Sequence, residues 1–205
     1  MVEKRVVRPG YDEVAEAYAA DRSEGGQEVA ILREFLDSRP APERLLEAGC
    51  GGGTPILRQL DAVAPAVGID LSRAQLRLAD RAVPGAALVQ SDMTSLPFAA
   101  DVFDAVTAYH SLIHLPLADR AAVFGEFARV LSPGGRLLVS EGPQQWRGSN
   151  PDWLGGGVEM QWTIAGAAAT REHLRSAGFA IEEEWEVVDD EHWVFFAAHL
   201  GGDAR

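Results

Sequence analysis

The sequence predicts a single α/β domain in which a mainly parallel, doubly wound β-sheet is covered by helices on both faces. Short, continuously apolar runs recur along the chain, and segments with helical apolar spacing lie between them. Continuous apolar runs are typical of parallel strands that are buried on both faces. With 205 residues, 47% of them hydrophobic, the chain has the size and apolar content of one domain. The five strand-like runs are residues 44–49, 66–70, 87–92, 103–109 and 135–142.

Local signals define the helices between these runs. Ser72 is a suitable N-cap for "RAQLRLADRAV". Asp119 or a neighbour opens "RAAVFGEFARVL", which stops at the Pro-Gly sequence "SPGG". In the tail, residues 170–179 predict a helix ended by Gly178. Two strand-like segments follow, "AIEEEWEVVDD" and "HWVFFAAHL", and we expect them to pair antiparallel at one edge of the sheet.

Two segments lie outside the strand and helix alternation. Residues 11–38 predict helical stretches ahead of the first strand, and residues 143–165 form a Gly- and Trp-rich insertion after the fifth. We therefore expect one domain over residues 1–205, with an N-terminal helical cap, a core over 43–142, the insertion, and a C-terminal helix and hairpin over 166–200.

Composition limits the classes of partner and the cellular compartment. The net charge is −13 and the pI about 4.7, so the acidic surface disfavours nucleic acid as a partner. Cys50 is the only cysteine, which excludes a disulfide within the chain. No apolar run reaches the length of a membrane helix, and the N-terminus lacks the apolar core of a signal peptide. These features predict a cytoplasmic protein without a membrane partner, and they leave the oligomeric state open.

A glycine-rich turn follows the first predicted strand, in the stretch "LLEAGCGGGTPI". Glycines there allow positive φ and bring the backbone against a ligand. The spacing differs from the dinucleotide pattern G-x-G-x-x-G, because Thr54 occupies the third glycine position after Gly49 and Gly51. Glu47, two residues before Gly49, would repel a pyrophosphate but suits a ligand with an ammonium group.

Two further acids end the second and third strands. Asp70 stands where a carboxylate accepts hydrogen bonds from ribose hydroxyls. Asp92 could accept a hydrogen bond from an adenine amino group while Met93 packs against the ring, although Asp92 could also be a helix cap. Three acids at the carboxyl ends of three successive strands favour a nucleoside-containing ligand.

These motifs, with "FDAVTAYHSLIHL" and "RVLSPGGRLLVSEG", resemble in order and spacing those of the class I S-adenosylmethionine-dependent methyltransferases over about residues 43–142. The resemblance implies a Rossmann-like sheet of seven strands with the last antiparallel, and S-adenosyl-L-methionine as cofactor. It also implies cofactor contacts at the methionine end, the ribose, the adenine and the sulfonium, from Glu47, Gly49, Gly51, Asp70, Leu71, Asp92, Met93 and Tyr109.

The residues after the fourth predicted strand are candidates for the chemistry. His110 is well placed to be a general base or a substrate contact, or alternatively a pocket wall with no proton role. His114, one helical turn further on, is the second candidate, and a structural hydrogen bonder is the favoured alternative. We expect no metal, because H-E-x-x-H is absent and no third ligand is evident.

Aromatic residues in the two outer segments predict a cap over the site. Tyr11 and Tyr18 lie seven apart on one helix face, and the resemblance places Tyr18 near the cofactor's carboxylate end. Trp146 and Trp162 of the insertion would wall a substrate pocket together with Tyr18 and His110, and Tyr11 is a further candidate for substrate contact. The alternatives are ordinary packing of an amphipathic helix and packing of the insertion on the sheet edge.

The functional prediction is transfer of a methyl group to a small-molecule acceptor, whose identity and acceptor atom the sequence leaves open. One alternative is a nucleotide-dependent oxidoreductase, against which Glu47 and the short chain after the fifth strand both argue. A second is a non-catalytic module of the same fold that binds the cofactor or a partner. Methylation of RNA or protein is disfavoured by the acidic charge.

Overall fold

The computed structural model describes residues 2–21, 25–37, 41–189 and 191–201. The helices within these ranges are α1 (Lys4–Glu13), α2 (Ala15–Asp21), α3 (Gln27–Asp37), α4 (Ile56–Asp61), α5 (Arg73–Ala82), α6 (Arg120–Val130) and α7 (Ala167–Ser176). The strands are β1 (Leu45–Ala48), β2 (Ala66–Asp70), β3 (Ala87–Gln90), β4 (Phe103–Ala108), β5 (Leu131–Glu141), β6 (Trp146–Asn150), β7 (Met160–Ile164), β8 (Phe179–Val188) and β9 (His192–Leu200). All five apolar runs that predict core strands form strands.

Seven of these strands form one sheet in the order β3-β2-β1-β4-β5-β9-β8. The first five pair in parallel, whereas β9 runs antiparallel to both β5 and β8. This confirms the predicted doubly wound, seven-stranded sheet with its last strand antiparallel. Strands β8 and β9 form the acidic tail hairpin at one edge of the sheet, and β9 pairs with β5.

Helices bury the sheet on both faces, as continuous apolar strands require. On one face, side chains of α3 and α4 such as Leu32, Phe35 and Leu57 pack in a cluster with Tyr109 and Phe195. On the other face, α6 and α7 contribute to a second cluster. Ser72 caps α5 as predicted, because its hydroxyl accepts a hydrogen bond from the Gln75 N–H at 3.1 Å.

The N-terminal segment differs from the prediction in extent. Helix α1 begins at Lys4, before the predicted start at residue 11, and α2 follows it after a break at Val14. Residues 22–24 and 38 of the predicted cap lie outside the described residues. Gly10 of α1 packs closely on β7, since a Cβ at this position would lie 3.0 Å from the Met160 side chain.

The Trp-rich insertion forms an antiparallel hairpin of β6 and β7, with Trp146 opposite Ile164. A buried ion pair fixes this hairpin to the sheet. Arg120, at the start of α6, lies 3.0 Å from the Glu141 carboxylate at the end of β5, and it donates a hydrogen bond to the Thr163 carbonyl at 2.8 Å. Burial raises the pKa of Glu141 and lowers that of Arg120, while the attraction between the two opposes both shifts.

Candidate active site

Gly49 in the turn between β1 and α4 is required by the packing of the backbone. Gly49, Gly51 and Gly53 have φ values of +83°, +52° and +84°, a region that side chains disfavour. The Gly49 N–H donates to the Ile69 carbonyl at 2.8 Å. A Cβ on Gly49 would lie 2.3 Å from the Cβ of Ser111, so this position has no room for a side chain.

Gly51 is glycine for a different reason. A Cβ there would come no closer than 3.8 Å to Gln75 and 3.9 Å to Tyr18, so the protein itself leaves room for a side chain. The backbone at Gly51 therefore borders open space, against which a ligand can lie.

Two cavities meet at this turn, since Gly49 and Gly51 line both of them. The larger has a volume of about 650 Å³, part of it open to solvent, and Asp70, Leu71 and Met93 form its strand side. This volume lies within the range of small-ligand sites. The smaller, of about 390 Å³, is lined by Glu47 and Tyr109, and Tyr18 borders both.

Asp70 ends β2 beside the glycine turn. Its carboxylate accepts hydrogen bonds from the Gly51 N–H at 2.9 Å and the Ser72 N–H at 2.8 Å. Burial raises the pKa of Asp70 to about 6, although these two N–H groups favour the ionised form. A carboxylate has about four acceptor positions, so Asp70 keeps capacity for further donors such as a ribose diol.

The pKa of Asp70 predicts a pH dependence of cofactor binding. Ribose hydroxyls donate to the ionised carboxylate, so protonation of Asp70 below about pH 6 competes with the ligand. Affinity for S-adenosylhomocysteine should be flat above this pH and fall about tenfold for each further unit of acidification. Titration calorimetry between about pH 5 and 8 measures this. Asp70→Asn should bind about 1.5–3 kcal/mol more weakly and with a flat profile. A flat profile in the unchanged protein would contradict the assignment.

Asp92 is engaged by helix α1. Its carboxylate lies 2.8 Å from the Lys4 Nζ and accepts hydrogen bonds from the Thr94 N–H and hydroxyl at 2.9 and 2.7 Å. Lys4 also lies 2.9 Å from Asp119. Met93 lines the larger cavity, whereas Asp92 is not among the lining residues. A ligand amino group would therefore share Asp92 with Lys4, a partner for which the sequence gives no motif.

Glu47 and Tyr109 border the smaller cavity at the carboxyl ends of β1 and β4. Both are almost fully buried, with exposed fractions of 3% and 4%. The Tyr109 hydroxyl donates a hydrogen bond to the Glu28 carbonyl at 3.3 Å, and burial raises the pKa of Tyr109 well above its ordinary value. A carboxylate in a small, polar cavity fits a ligand ammonium group.

His110 follows β4 with a φ of +49°, so the chain does not continue into the helical turn that would align it with His114. The backbone N–H of His110 donates to the Ser140 hydroxyl at 2.7 Å. The ring Nε2 lies 2.8 Å from the Glu28 carboxylate. The Trp193 ring packs against the imidazole at 4.3 Å. His110 lines the larger cavity, but Glu28 and Trp193 hold its ring on the side of helix α3.

His114 contacts the cap directly. Its Nε2 lies 2.8 Å from the Tyr11 hydroxyl, and its Nδ1 lies 3.2 Å from the Gln161 carbonyl. Burial lowers the pKa of His114 to about 4. Tyr11 and His114 both line the larger cavity, so the structure brings the predicted cap residue and the predicted catalytic residue together.

An aromatic cluster forms around this pair. Tyr11 packs edge-to-face on Tyr18 and on Trp153, in both cases with ring centroids 5.2 Å apart. Trp162 packs on Trp153 at 5.8 Å. We use "aromatic cluster" for Tyr11, Tyr18, His114, Trp153 and Trp162.

Trp146 does not join the cluster. Its side chain is 52% exposed on β6, and its ring covers Gly148 of the same strand. Trp146 pairs with Ile164 and Trp162 pairs with Gly148, so the two tryptophans point to the same face of the hairpin, and the position of the Trp146 ring over Gly148 keeps it apart from the cluster. Trp153, which the sequence did not single out from the other tryptophans, supplies the ring beside Tyr11 and Tyr18.

Neither a cluster of metal ligands nor a membrane-spanning helix occurs in the part of the chain that the structure describes. No three His, Cys, Asp or Glu side chains come together there as metal ligands could. None of the helices described is both long and apolar enough to cross a bilayer.

Comparison with known proteins agrees with this geometry. Residues 46–139 match a family described as a methyltransferase domain. A demethylmenaquinone methyltransferase of Streptomyces avermitilis is 35% identical over 148 residues, which cover 70% of this chain and 60% of that protein. A tRNA (carboxymethyluridine(34)-5-O)-methyltransferase of Arabidopsis thaliana is 29% identical over 140 residues, 68% of this chain and 33% of that protein. The chain thus spans 60% or less of the length of these two relatives.

A solved structure shows the same fold. It is the Burkholderia thailandensis 1,6-didemethyltoxoflavin-N1-methyltransferase with 1,6-didemethyltoxoflavin and S-adenosylhomocysteine bound, with a TM-score of 0.71 and 19% identity. The match covers 94% of this chain and 85% of that one. The sheet topology, the glycine turn and these matches define a Rossmann-like nucleoside-binding domain. The family match over residues 46–139 and the likeness to these relatives support a class I S-adenosylmethionine-dependent methyltransferase.

Proposed function

We propose that this protein transfers a methyl group from S-adenosylmethionine to a small-molecule acceptor enclosed beneath its N-terminal helices. The observation that carries the proposal is the position of the aromatic cluster. Three of its members, Tyr11, Tyr18 and His114, line the same cavity that the Gly51 backbone and Asp70 border at the carboxyl ends of the strands. Ligands of open α/β sheets bind at this edge, where the strand order reverses.

The residues present fit the cofactor. The open side of Gly51 leaves space for a ligand against the backbone, and Asp70 keeps acceptor capacity for a ribose diol. Leu71 and Met93 lie beside Asp70 and would contact the adenine faces. Glu47 in the smaller cavity would bind the ammonium group, while Tyr18, which borders both cavities, would cover the methionine end.

S-adenosylmethionine supplies an electrophilic methyl group on a positively charged sulfur. The protein's task is therefore to orient the acceptor and exclude water. Helix α1 suits this task because it is attached at both ends. Lys4 pairs with Asp92, while Asp12 accepts hydrogen bonds from the Ser72 hydroxyl and the Ala74 N–H at 2.7 and 3.0 Å.

A small acceptor is favoured over RNA by the enclosure and the charge. The cavity wall opposite the strands carries Tyr11 and Tyr18 with a single arginine, Arg8, and the chain's net charge is −13. A polyanion would be repelled by such a surface. The alternatives are methylation of RNA, by analogy with the tRNA-modifying relative, and a module of the same fold that binds the cofactor without turnover.

The proposal is tested by offering acceptors to the full chain with S-adenosylmethionine and measuring S-adenosylhomocysteine by mass spectrometry. The panel contains quinols, phenols, heterocyclic amines, thiols and bulk tRNA. We expect release of S-adenosylhomocysteine with a small molecule. Methylation confined to tRNA would contradict the proposed acceptor class. Tight cofactor binding without turnover on any acceptor would favour the binding module.

A further inference from the structure

The Tyr11–His114 pair has a defined arrangement of hydrogens. The Gln161 carbonyl can only accept, so the contact at 3.2 Å places a hydrogen on the Nδ1 of His114. The ring is 9% exposed, and burial lowers its pKa to about 4, with smaller contributions of the same sign from Arg120 and His110. The imidazole is therefore neutral at pH 7 and its Nε2 carries no hydrogen.

It follows that Tyr11 is the donor in the contact with His114. Its hydroxyl hydrogen points at the bare Nε2 over 2.8 Å. A phenol has a single hydrogen, so towards any other group the Tyr11 oxygen acts as an acceptor. The histidine in this way fixes the hydrogen-bonding polarity of a tyrosine that lines the larger cavity.

The surroundings of Tyr11 favour a flat, apolar ligand. Rings of Tyr18 and Trp153 pack at 5.2 Å from Tyr11, and these two also lie 5.4 Å from each other. Flat aromatic molecules gain from contacts with such rings. Of these rings, Tyr18 lines the cavity with Tyr11, as do Val7, Leu115 and Arg8, so the Tyr11 hydroxyl supplies an acceptor in a wall that is mainly apolar.

We propose that Tyr11, oriented by His114, is the specificity-determining contact for the acceptor, and that it recognises the hydroxyl of an aromatic, phenol-type molecule. The inference rests on the proposed function and deepens it, because it names the acceptor class and the atom that receives its hydrogen bond. His114 is a positioning residue, since it acts on the ligand through Tyr11. The pair excludes groups that can only accept, because they would face the Tyr11 oxygen with no hydrogen between them.

The first test compares two probes of similar shape, 2-naphthol and 2-fluoronaphthalene, by titration calorimetry in the presence of S-adenosylhomocysteine. We expect the unchanged protein to prefer the naphthol by about five- to tenfold, the effect of one neutral hydrogen bond. Tyr11→Phe should reduce this preference to less than about twofold. Trp146→Phe changes an exposed aromatic side chain that lies outside the aromatic cluster and the cavity lining, and it should preserve the preference. Equal binding of both probes by the unchanged protein, or an undiminished preference in Tyr11→Phe, would overturn the inference.

A second measurement does not depend on a variant that folds or on turnover. Nitrogen-15 NMR of labelled histidine reports which ring nitrogen of His114 carries the hydrogen. We expect a neutral ring with the hydrogen on Nδ1, and an Nε2 resonance that shifts with 2-naphthol but not with 2-fluoronaphthalene. A hydrogen on Nε2 at pH 7 would free Tyr11 to donate and would overturn the inference. Absence of S-adenosylhomocysteine binding would refute the proposed function instead, and the NMR result on the ligand-free chain would still decide the role of Tyr11.

Discussion

Gly51→Val is expected to abolish cofactor binding while the protein stays folded. The valine side chain would project into the space beside the glycine turn, where nothing in the protein lies closer than 3.8 Å to a Cβ. A ligand could then no longer approach the backbone or Asp70, whose carboxylate accepts the Gly51 N–H. We expect affinity for S-adenosylhomocysteine to fall by about a hundredfold or more, as several hydrogen bonds to a charged group are lost together. Calorimetry measures the affinity, and far-UV circular dichroism checks the fold.

Gly134→Val is the matched control for this substitution. Gly134 also has a positive φ, +73°, and a Cβ there would meet no atom within 4 Å. It lies near the amino end of β5, whereas the cavities lie at the carboxyl ends of the strands. Both variants should lose about 1–2 kcal/mol of stability from backbone strain, and only Gly51→Val should lose the cofactor. Retained binding in Gly51→Val would mean that the turn has no ligand against it.

Arg120→Met is expected to lower the free energy of unfolding by about 3–5 kcal/mol. The side chains of Arg120 and Glu141 are 1% and 0% exposed, so removing the arginine leaves a buried carboxylate without its counter-ion. The Thr163 carbonyl also loses its donor, and with it the attachment of the hairpin that carries Trp153 and Trp162. Urea denaturation measures the loss. Hydrogen exchange should increase over residues 146–164 more than over the sheet.

The double variant Arg120→Met/Glu141→Leu separates charge burial from packing. Apolar side chains of similar size remove both charges, and such replacements are often neutral or stabilising. We expect the double variant to be more stable than Arg120→Met alone. If the double variant is as unstable as the single one, the ion pair is not the source of the loss.

The sheet could be predicted from the sequence because each of its strands is defined by a local pattern of residues. Each core strand is a short apolar run, and helical spacing between runs requires parallel crossovers. The glycine turn and Asp70 could also be predicted from the sequence, because a turn with positive φ and a carboxylate at the end of a strand both leave a pattern in adjacent residues. These features lie at the carboxyl ends of β1 and β2, as predicted.

Contacts between segments that are distant in the chain could not be predicted from the sequence in this way. Lys4 reaches Asp92 across 88 positions, and Glu28 reaches His110 across 82. Single charged residues on amphipathic helices give no signal of which partner they meet. Trp153 lies in the connection between β6 and β7, and the sequence does not show that this connection brings it against Tyr11.

The most direct test of the account is titration calorimetry of the full chain with S-adenosylhomocysteine and, separately, with NAD⁺. The family assignment, the open backbone at Gly51 and the acceptor capacity of Asp70 together predict one site of micromolar affinity for S-adenosylhomocysteine and no measurable heat with NAD⁺. Binding of NAD⁺ at this site, or no binding of S-adenosylhomocysteine by the folded protein, would contradict the account.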